Sequence, residues 1–302
     1  MHQDEHGSVS DPVHRDEGLV STGGISAQAH VARSDELAAV PHESVHTCLG
    51  CRSAQTVNGI RFDLLGRREL VQITQSFVDC GRSHVVHFLA VDPTVRAAGD
   101  AGYRRVLNEG DLNIADGQPI AWAVRLNGQH TARIAGTDGF GLLCDAGVPE
   151  ARTHYLYGGS QQTSDRLRFQ LRRRDPGISV VGAEAPPFGM PTDAELQSSA
   201  ARVRASGADF LWIGIGTPNQ HHVADRLREL GAAPVILCVG AAFDFMAGTK
   251  QRAPEWMQRL GLEWSHRLLS EPRRLGPRYL AGNPQFVLSV AREYLRPAEI
   301  AE

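Results

Sequence analysis

The stretch FLWIGIGTPNQHHVADRLRELGAAPVILCVG, residues 210–240, decides the fold. Phe210–Ile215 is a continuous apolar run, the pattern of a strand buried on both faces of a parallel sheet. Val223, Leu227 and Leu230 follow at helical spacing, and Gly231 ends that helix. Val235–Val239 is a second apolar run of the same kind. Strand, helix and strand in this order predict a parallel crossover unit, whose ligand sites lie beyond the carboxyl ends of the strands.

The alternation continues upstream. Val85–Leu89 and Leu112–Ala115 read as strands, with Asp116–Gly117 closing the second. Pro119 suits the first turn of a helix and Gly128 its end. His154–Tyr157 is a strand leading through Gly158–Gly159 into a basic helix that runs to about Arg174. Ile178–Val181 is another strand. Thr192 and Glu195 form a capping box, Leu196, Ala200 and Val203 give the buried face of the helix, and Gly207 closes it. The expected class is α/β, a parallel sheet flanked by helices. Its carboxyl edge carries Asp116–Gly117, Gly158–Gly159, Gly214–Ile215–Gly216 and Gly240. Glycine there lets a ligand approach the backbone, and the helix starts that follow favour phosphate. A nucleotide-like ligand is the leading expectation. A dinucleotide fingerprint does not fit, because the third glycine is replaced by Asn219 and Thr217–Pro218 interrupts the helix start.

The 302 residues are 42% hydrophobic, enough for a large core, and the net charge of -3 gives no sign of nucleic-acid binding. Residues 1–56 differ from the rest. They contain no Phe, Trp or Tyr over the first 55 positions and are rich in His, Asp and Glu, so they read as a disordered tail. The tail's Cys48 and Cys51 form a lone C-x-x-C with no second ligand pair, and no metal is expected. Five scattered cysteines do not suggest a disulfide framework. With neither a secretory signal nor a membrane-spanning run, the expected location is cytoplasmic. The expected layout is the tail to 56, an α/β domain over 57–250 and a C-terminal appendage over 251–302.

One block is more specific than packing requires. WIGIGTPNQ (212–220) is followed by VGAAFDFMAGTKQRAPEWMQRLGLEWSHRLLSEPRRLGPRYL (239–280), and IADG (114–117), AGTD (135–138) and YLYGGS (155–160) precede it. Together these resemble the WecG/TagA/CpsF glycosyltransferases, family 26, over about residues 57–295. The resemblance implies a Rossmann-like fold and inverting transfer of N-acetylmannosamine or a related sugar from a UDP donor. The acceptor it implies is a sugar on a polyprenyl diphosphate. It also implies independence of metal and cofactors, and the chain contains no D-x-D. The appendage is implied to close over the site and touch the inner face of the membrane.

Residue by residue, the resemblance implies Asp116 as the base that takes the acceptor proton, with Gly117 beside it. An aspartate just before a helix is otherwise an N-cap, and a helix N-terminus favours its ionised form. Gly136, Thr137 and Asp138 are expected to hold the donor sugar or nucleotide. Gly158, Gly159 and Ser160 are expected to meet the diphosphate, along with Gly214, Gly216 and Gly240. Gln220 matches the P-x-Q glutamine and is expected to take part in catalysis by bonding the sugar or phosphate. Phe243 and Asp244 lie in F-D-F, and Asp244 reads either as a nucleotide contact or as one half of a salt bridge. Arg273, Arg274 and Arg278 are expected at a diphosphate. The last helix, near Phe286–Leu295, carries Phe286, Val290 and Tyr294 on one face, which suits core packing or an anionic membrane surface.

Two positions depart from the family pattern. FLAVDP (88–93) replaces a T-x-N, so Ala90 and Asp92 stand in place of a hydroxyl and an amide. Asp92 is then an alternative base, or a charge that raises the pKa of Asp116. His221–His222 follow Gln220 where an acid is usual, which alters the charge beside the site. Two functions stay open: an active transferase on a lipid-linked or soluble acceptor, or a nucleotide-sugar-binding protein without catalysis. An oligomer is compatible with either.

Overall fold

The computed structural model describes residues 52–295 apart from Asn127; the Cys48/Cys51 pair and the side chains of Arg274 and Arg278 lie outside the described residues. The described chain opens with a hairpin of β1 (Ala54–Val57) and β2 (Ile60–Asp63), paired antiparallel. Asn58 and Gly59 between them have φ of 53° and 77°, as a two-residue turn requires and as Asn-Gly favours. The first strand therefore starts ahead of the Val57 boundary expected from composition. Composition averages over the tail and does not register a turn signal two residues long.

Six strands build the main sheet: β3 (His84–Leu89), β4 (Leu112–Ala115), β5 (Thr153–Gly158), β6 (Ser179–Glu184), β7 (Phe210–Gly214) and β8 (Val235–Cys238). Their spatial order is β4-β3-β8-β7-β5-β6, and every neighbouring pair is parallel. The helices that cover it are α1 (Arg67–Val78), α2 (Val91–Gly99), α3 (Ala101–Asn108), α4 (Gln118–Leu126), α5 (Gly136–Gly147), α6 (Gln161–Arg174), α7 (Asp193–Ser206) and α8 (Asn219–Glu229). The short α9 (Ala242–Met246) follows the last strand, and α10 (Glu255–Arg259), α11 (Glu263–Ser270) and α12 (Pro272–Leu295) form the C-terminal region.

Strand alternation divides the core between the two faces. Val86, Phe88, Trp212 and Leu237 pack with Phe140 and Leu143 of α5 and Leu167 and Leu171 of α6. Val85, Leu211, Ile213 and Ile236 pack with Leu196, Ala200 and Val203 of α7 and Val223 and Leu227 of α8. Thr192 caps α7 with Glu195 in a reciprocal box, and Gly207 ends it at φ 68°. Both signals are local, so the sequence specifies that helix without help from its neighbours.

The last helix is longer than its apolar periodicity suggests. It starts at Pro272 and carries Pro277 and Pro284 inside it. Interior proline removes a backbone hydrogen bond, so a reading from sequence stops there. Burial compensates: Phe286 joins a third apolar cluster with Val57, Ile60, Phe62, Leu107 and Ile120, and Val290 packs against it. Core packing thus accounts for Phe286 and Val290, whereas Tyr294 is exposed. No helix of the described residues is long and apolar enough to cross a membrane.

Candidate active site

A cavity of about 850 Å³ lies at the carboxyl ends of β3, β4, β7 and β8. Its wall includes the starts of α2, α4 and α5, the loop after β7, the turn after β8, and residues of α11 and α12. The order β4-β3-β8-β7 places this opening where chain connections diverge to opposite sides of the sheet, the usual ligand crevice of such folds.

Asp116 follows β4 directly and lines the cavity half-buried. Burial pushes its pKa up to about 6, helped by the nearby Glu263 carboxylate and opposed by Arg133 and Arg267. Desolvation is the larger effect, so the pKa rises despite the helix N-terminus beside it. Asp92, the alternative base, lines the same cavity from the start of α2. Its own carboxylate bonds Arg96 Nε at 2.9 Å along α2.

Arg133 was not among the expected site residues. Its Nε donates to the Asp116 carbonyl at 2.9 Å, and its other nitrogens reach the Gln258 carbonyl at 3.3 Å and Glu263 at 2.7 Å. Glu263 also accepts from Arg252 at 3.2 Å, and the Arg252 fork grips Asp138. Asp138 is therefore committed to Arg252 rather than presented as a free sugar ligand, while Gly136 and Thr137 at the start of α5 do line the cavity. The chain Asp138–Arg252–Glu263–Arg133 ties α10 and α11 to the sheet edge. Its signal in the sequence is present but indirect: charged residues inside otherwise apolar family-like blocks.

The glycines divide into two groups. Gly159, Gly214, Gly216, Gly240 and Gly117 line the cavity. Gly158, at φ 136°, is required for another reason, since a Cβ there would lie 2.6 Å from the Gly214 backbone. A Cβ on Gly214 would meet the Phe243 ring at 2.6 Å, which places Phe243 on the cavity floor. Ser160 is the N-cap of α6, accepting from the Thr163 N–H, and that explains its hydroxyl.

Gln220 is 3% exposed, yet it lines the cavity, and its Oε1 has no hydrogen-bond partner. A buried orphan acceptor suits a ligand hydroxyl or N–H. His221 is fully buried, with Nδ1 2.5 Å from the Tyr103 hydroxyl and Nε2 3.1 Å from Gln220. Burial and the adjacent histidines hold it neutral, so the position carries no charge where an acid would carry a negative one. Atoms of His87, His221 and Cys238 lie within 4.8 Å of one another, the one metal-like grouping among the described residues. Both ring nitrogens of His221 already have partners, which makes it a packed polar cluster.

Asp244 lines the cavity but is paired with Lys250 Nζ at 3.0 Å, so the salt bridge is realised with a lysine rather than an arginine. Arg273 is exposed and away from the cavity lining. The arginine that the C-terminal region does bring to the cavity is Arg267, stacked over Phe245 at 5.6 Å. Trp122, Leu126, Trp264, Tyr279, Tyr294 and Leu295 give the mouth an apolar wall, several of them well exposed.

The chain is similar in sequence to known proteins. The description "Glycosyl transferase WecG/TagA/CpsF family" matches residues 55–300. A relative from Bacillus spizizenii, named N-acetylglucosaminyldiphosphoundecaprenol N-acetyl-beta-D-mannosaminyltransferase, is 29% identical over 191 residues, covering 63% of this chain and 72% of the relative.

Proposed function

The chain belongs to the WecG/TagA/CpsF glycosyltransferase family, and from that premise we propose that it moves N-acetylmannosamine or a related sugar from UDP to a sugar hydroxyl on a lipid diphosphate, with inversion. The observation that carries this reading is Asp116, a carboxylate with a pKa near neutrality facing a cavity walled by glycine turns and a helix start.

Inversion is a single in-line displacement. The acceptor oxygen attacks the anomeric carbon while the bond to the diphosphate oxygen breaks. Asp116 takes the acceptor proton, and a base with a pKa of about 6 is ionised yet still basic at neutral pH. The departing diphosphate gathers negative charge. The N–H groups at the start of α5, around Gly136 and Thr137, and the Arg267 guanidinium are the groups that stabilise it. Gln220 Oε1 accepts from the donor sugar. Glu263, Arg133 and Arg252 keep α10 and α11 closed over the bound donor, and the apolar mouth favours a lipid carrier over a soluble acceptor.

Calorimetric titration with UDP, UDP-GlcNAc and UDP-ManNAc, followed by turnover on a polyprenyl-diphosphate GlcNAc, tests the proposal. Binding of a UDP species together with sugar transfer is expected. Binding without transfer would support a nucleotide-sugar-binding protein instead, and no binding would remove the UDP donor.

A further inference from the structure

Cys80, His84 and Asp111 line up at the amino ends of β3 and β4, the edge of the sheet opposite the cavity. The length of β3 separates the two edges, about 20 Å for its six residues. Cys80 Sγ lies 2.7 Å from His84 Nε2, and His84 Nδ1 lies 2.8 Å from Asp111 Oδ1. Asp111 Oδ2 accepts the Val85 N–H at 2.9 Å, which fixes the carboxylate. An aspartate on Nδ1 keeps the ring proton there and leaves the Nε2 lone pair for the thiol.

The surroundings hold this order. The His84 ring stacks on Phe77 with centroids 3.9 Å apart and planes 11° from parallel. Arg52 and Arg61 donate to the Asp111 carbonyl at 2.8 and 3.2 Å. Cys80 is exposed, whereas Cys144 and Cys238 are buried. Arg82 and His84 are the charged or titratable groups that act on the thiol, Arg228 acts on Asp111, and the adjacent Asp79 carboxylate is held by Arg152 at 3.1 Å.

We propose that Cys80 is an activated thiol, deprotonated by the Asp111-oriented His84, and that it undergoes reversible thiolation by low-molecular-weight disulfides. Nε2 takes the thiol proton. The thiolate attacks one sulfur of the disulfide, a new S–S bond forms as the old one breaks, and the leaving sulfur departs as a thiolate that recovers the proton from the imidazolium. Cys80 is oxidised to a mixed disulfide and the small disulfide is reduced to one thiol. The directions of titration agree: partial burial opposes ionisation of Cys80, the His84 hydrogen bond overcomes it, and its pKa is lowered. Burial likewise opposes the charged form of His84, but the Asp111 hydrogen bond prevails and raises its pKa.

The test uses the full chain with Cys48→Ser and Cys51→Ser, so that Cys80 is the reporting thiol. Iodoacetamide alkylation is followed by intact mass across pH. Half-maximal reactivity is expected clearly below the roughly 8.5 of a free thiol, and His84→Gln is expected to slow alkylation at pH 7 by about tenfold. Glutathione disulfide at pH 7 is expected to add one mixed disulfide, reversed by dithiothreitol and absent in Cys80→Ser. A merely structural His84–Asp111 pair would lower the melting temperature of His84→Gln without moving the alkylation midpoint. A parent midpoint at the free-thiol value, or no glutathione adduct, overturns the proposal, and both are read on protein that retains His84.

Discussion

Asp111 and Asp116 flank the same short strand, one just before β4 and one just after it, and their environments drive them in opposite directions. Burial raises the pKa of each. At Asp111 the His84 hydrogen bond and the Val85 N–H outweigh it, and the acid is held below the usual carboxylate range. At Asp116 the nearest cation, Arg133, bonds the backbone carbonyl, Glu263 adds like charge, and the pKa rises to about 6. Asp209, at the amino end of β7, resembles Asp111: it accepts the Thr153 N–H at 2.8 Å. Aspartates at the amino edge thus fasten strands, and the one at the carboxyl edge is left basic.

The comparison breaks most sharply at Asp116. Asp116→Asn is expected to lower kcat by about 10²–10⁴-fold, the range for loss of a general base, with binding of the donor changed little. Stability should move the other way. A carboxyl with a folded pKa of about 6 takes up protons on folding between its unfolded value and 6, so its stability contribution falls as pH rises through that window. At pH 7.5 the asparagine variant should be more stable, by roughly 1–3 kcal/mol in urea unfolding.

Arg252→Met removes the cation shared by Asp138 and Glu263. The expected cost is about 2–4 kcal/mol, because the partly buried Asp138 loses the fork that grips it and Glu263 keeps only Arg133. A melt within a degree of the parent would mean that the C-terminal helices are held by other contacts. Glu263→Gln is a smaller change with a readable sign. Loss of its charge lowers the pKa of Asp116, so the acid limb of kcat/KM, expected near pH 6, should shift to lower pH. Asp92→Asn should do least, at most a few-fold in turnover, since an i,i+4 pair such as Asp92–Arg96 contributes only about 0.3–0.5 kcal/mol. A loss comparable to that of Asp116→Asn would move the base to Asp92.

Much of this was legible in the chain. Apolar runs such as Phe210–Ile215 and Val235–Val239 can only be buried strands, because they have no polar face to turn to water. Caps such as Thr192–Glu195 act over three residues and need no tertiary partner. Gly117, Gly159, Gly214, Gly216 and Gly240 could be placed at one edge because each follows an apolar strand run, whereas Gly136 came from the family resemblance. Gly158 could not be explained that way, since its reason is the Gly214 backbone across β5 and β7. Nor could the partners of Asp138 and Asp244, because ion pairs depend on which surfaces meet and long side chains reach several.

The sequence by itself determined the parallel sheet, the edge that carries the cavity and the family, since periodicity, turn chemistry and motif blocks are properties of neighbours along the chain. Only the tertiary structure decided which carboxylate is basic and which is bound, which arginine reaches the cavity, and that His84 joins Cys80 to Asp111. Those outcomes rest on desolvation and on distances of a few ångströms between residues far apart in sequence, and no local pattern encodes them.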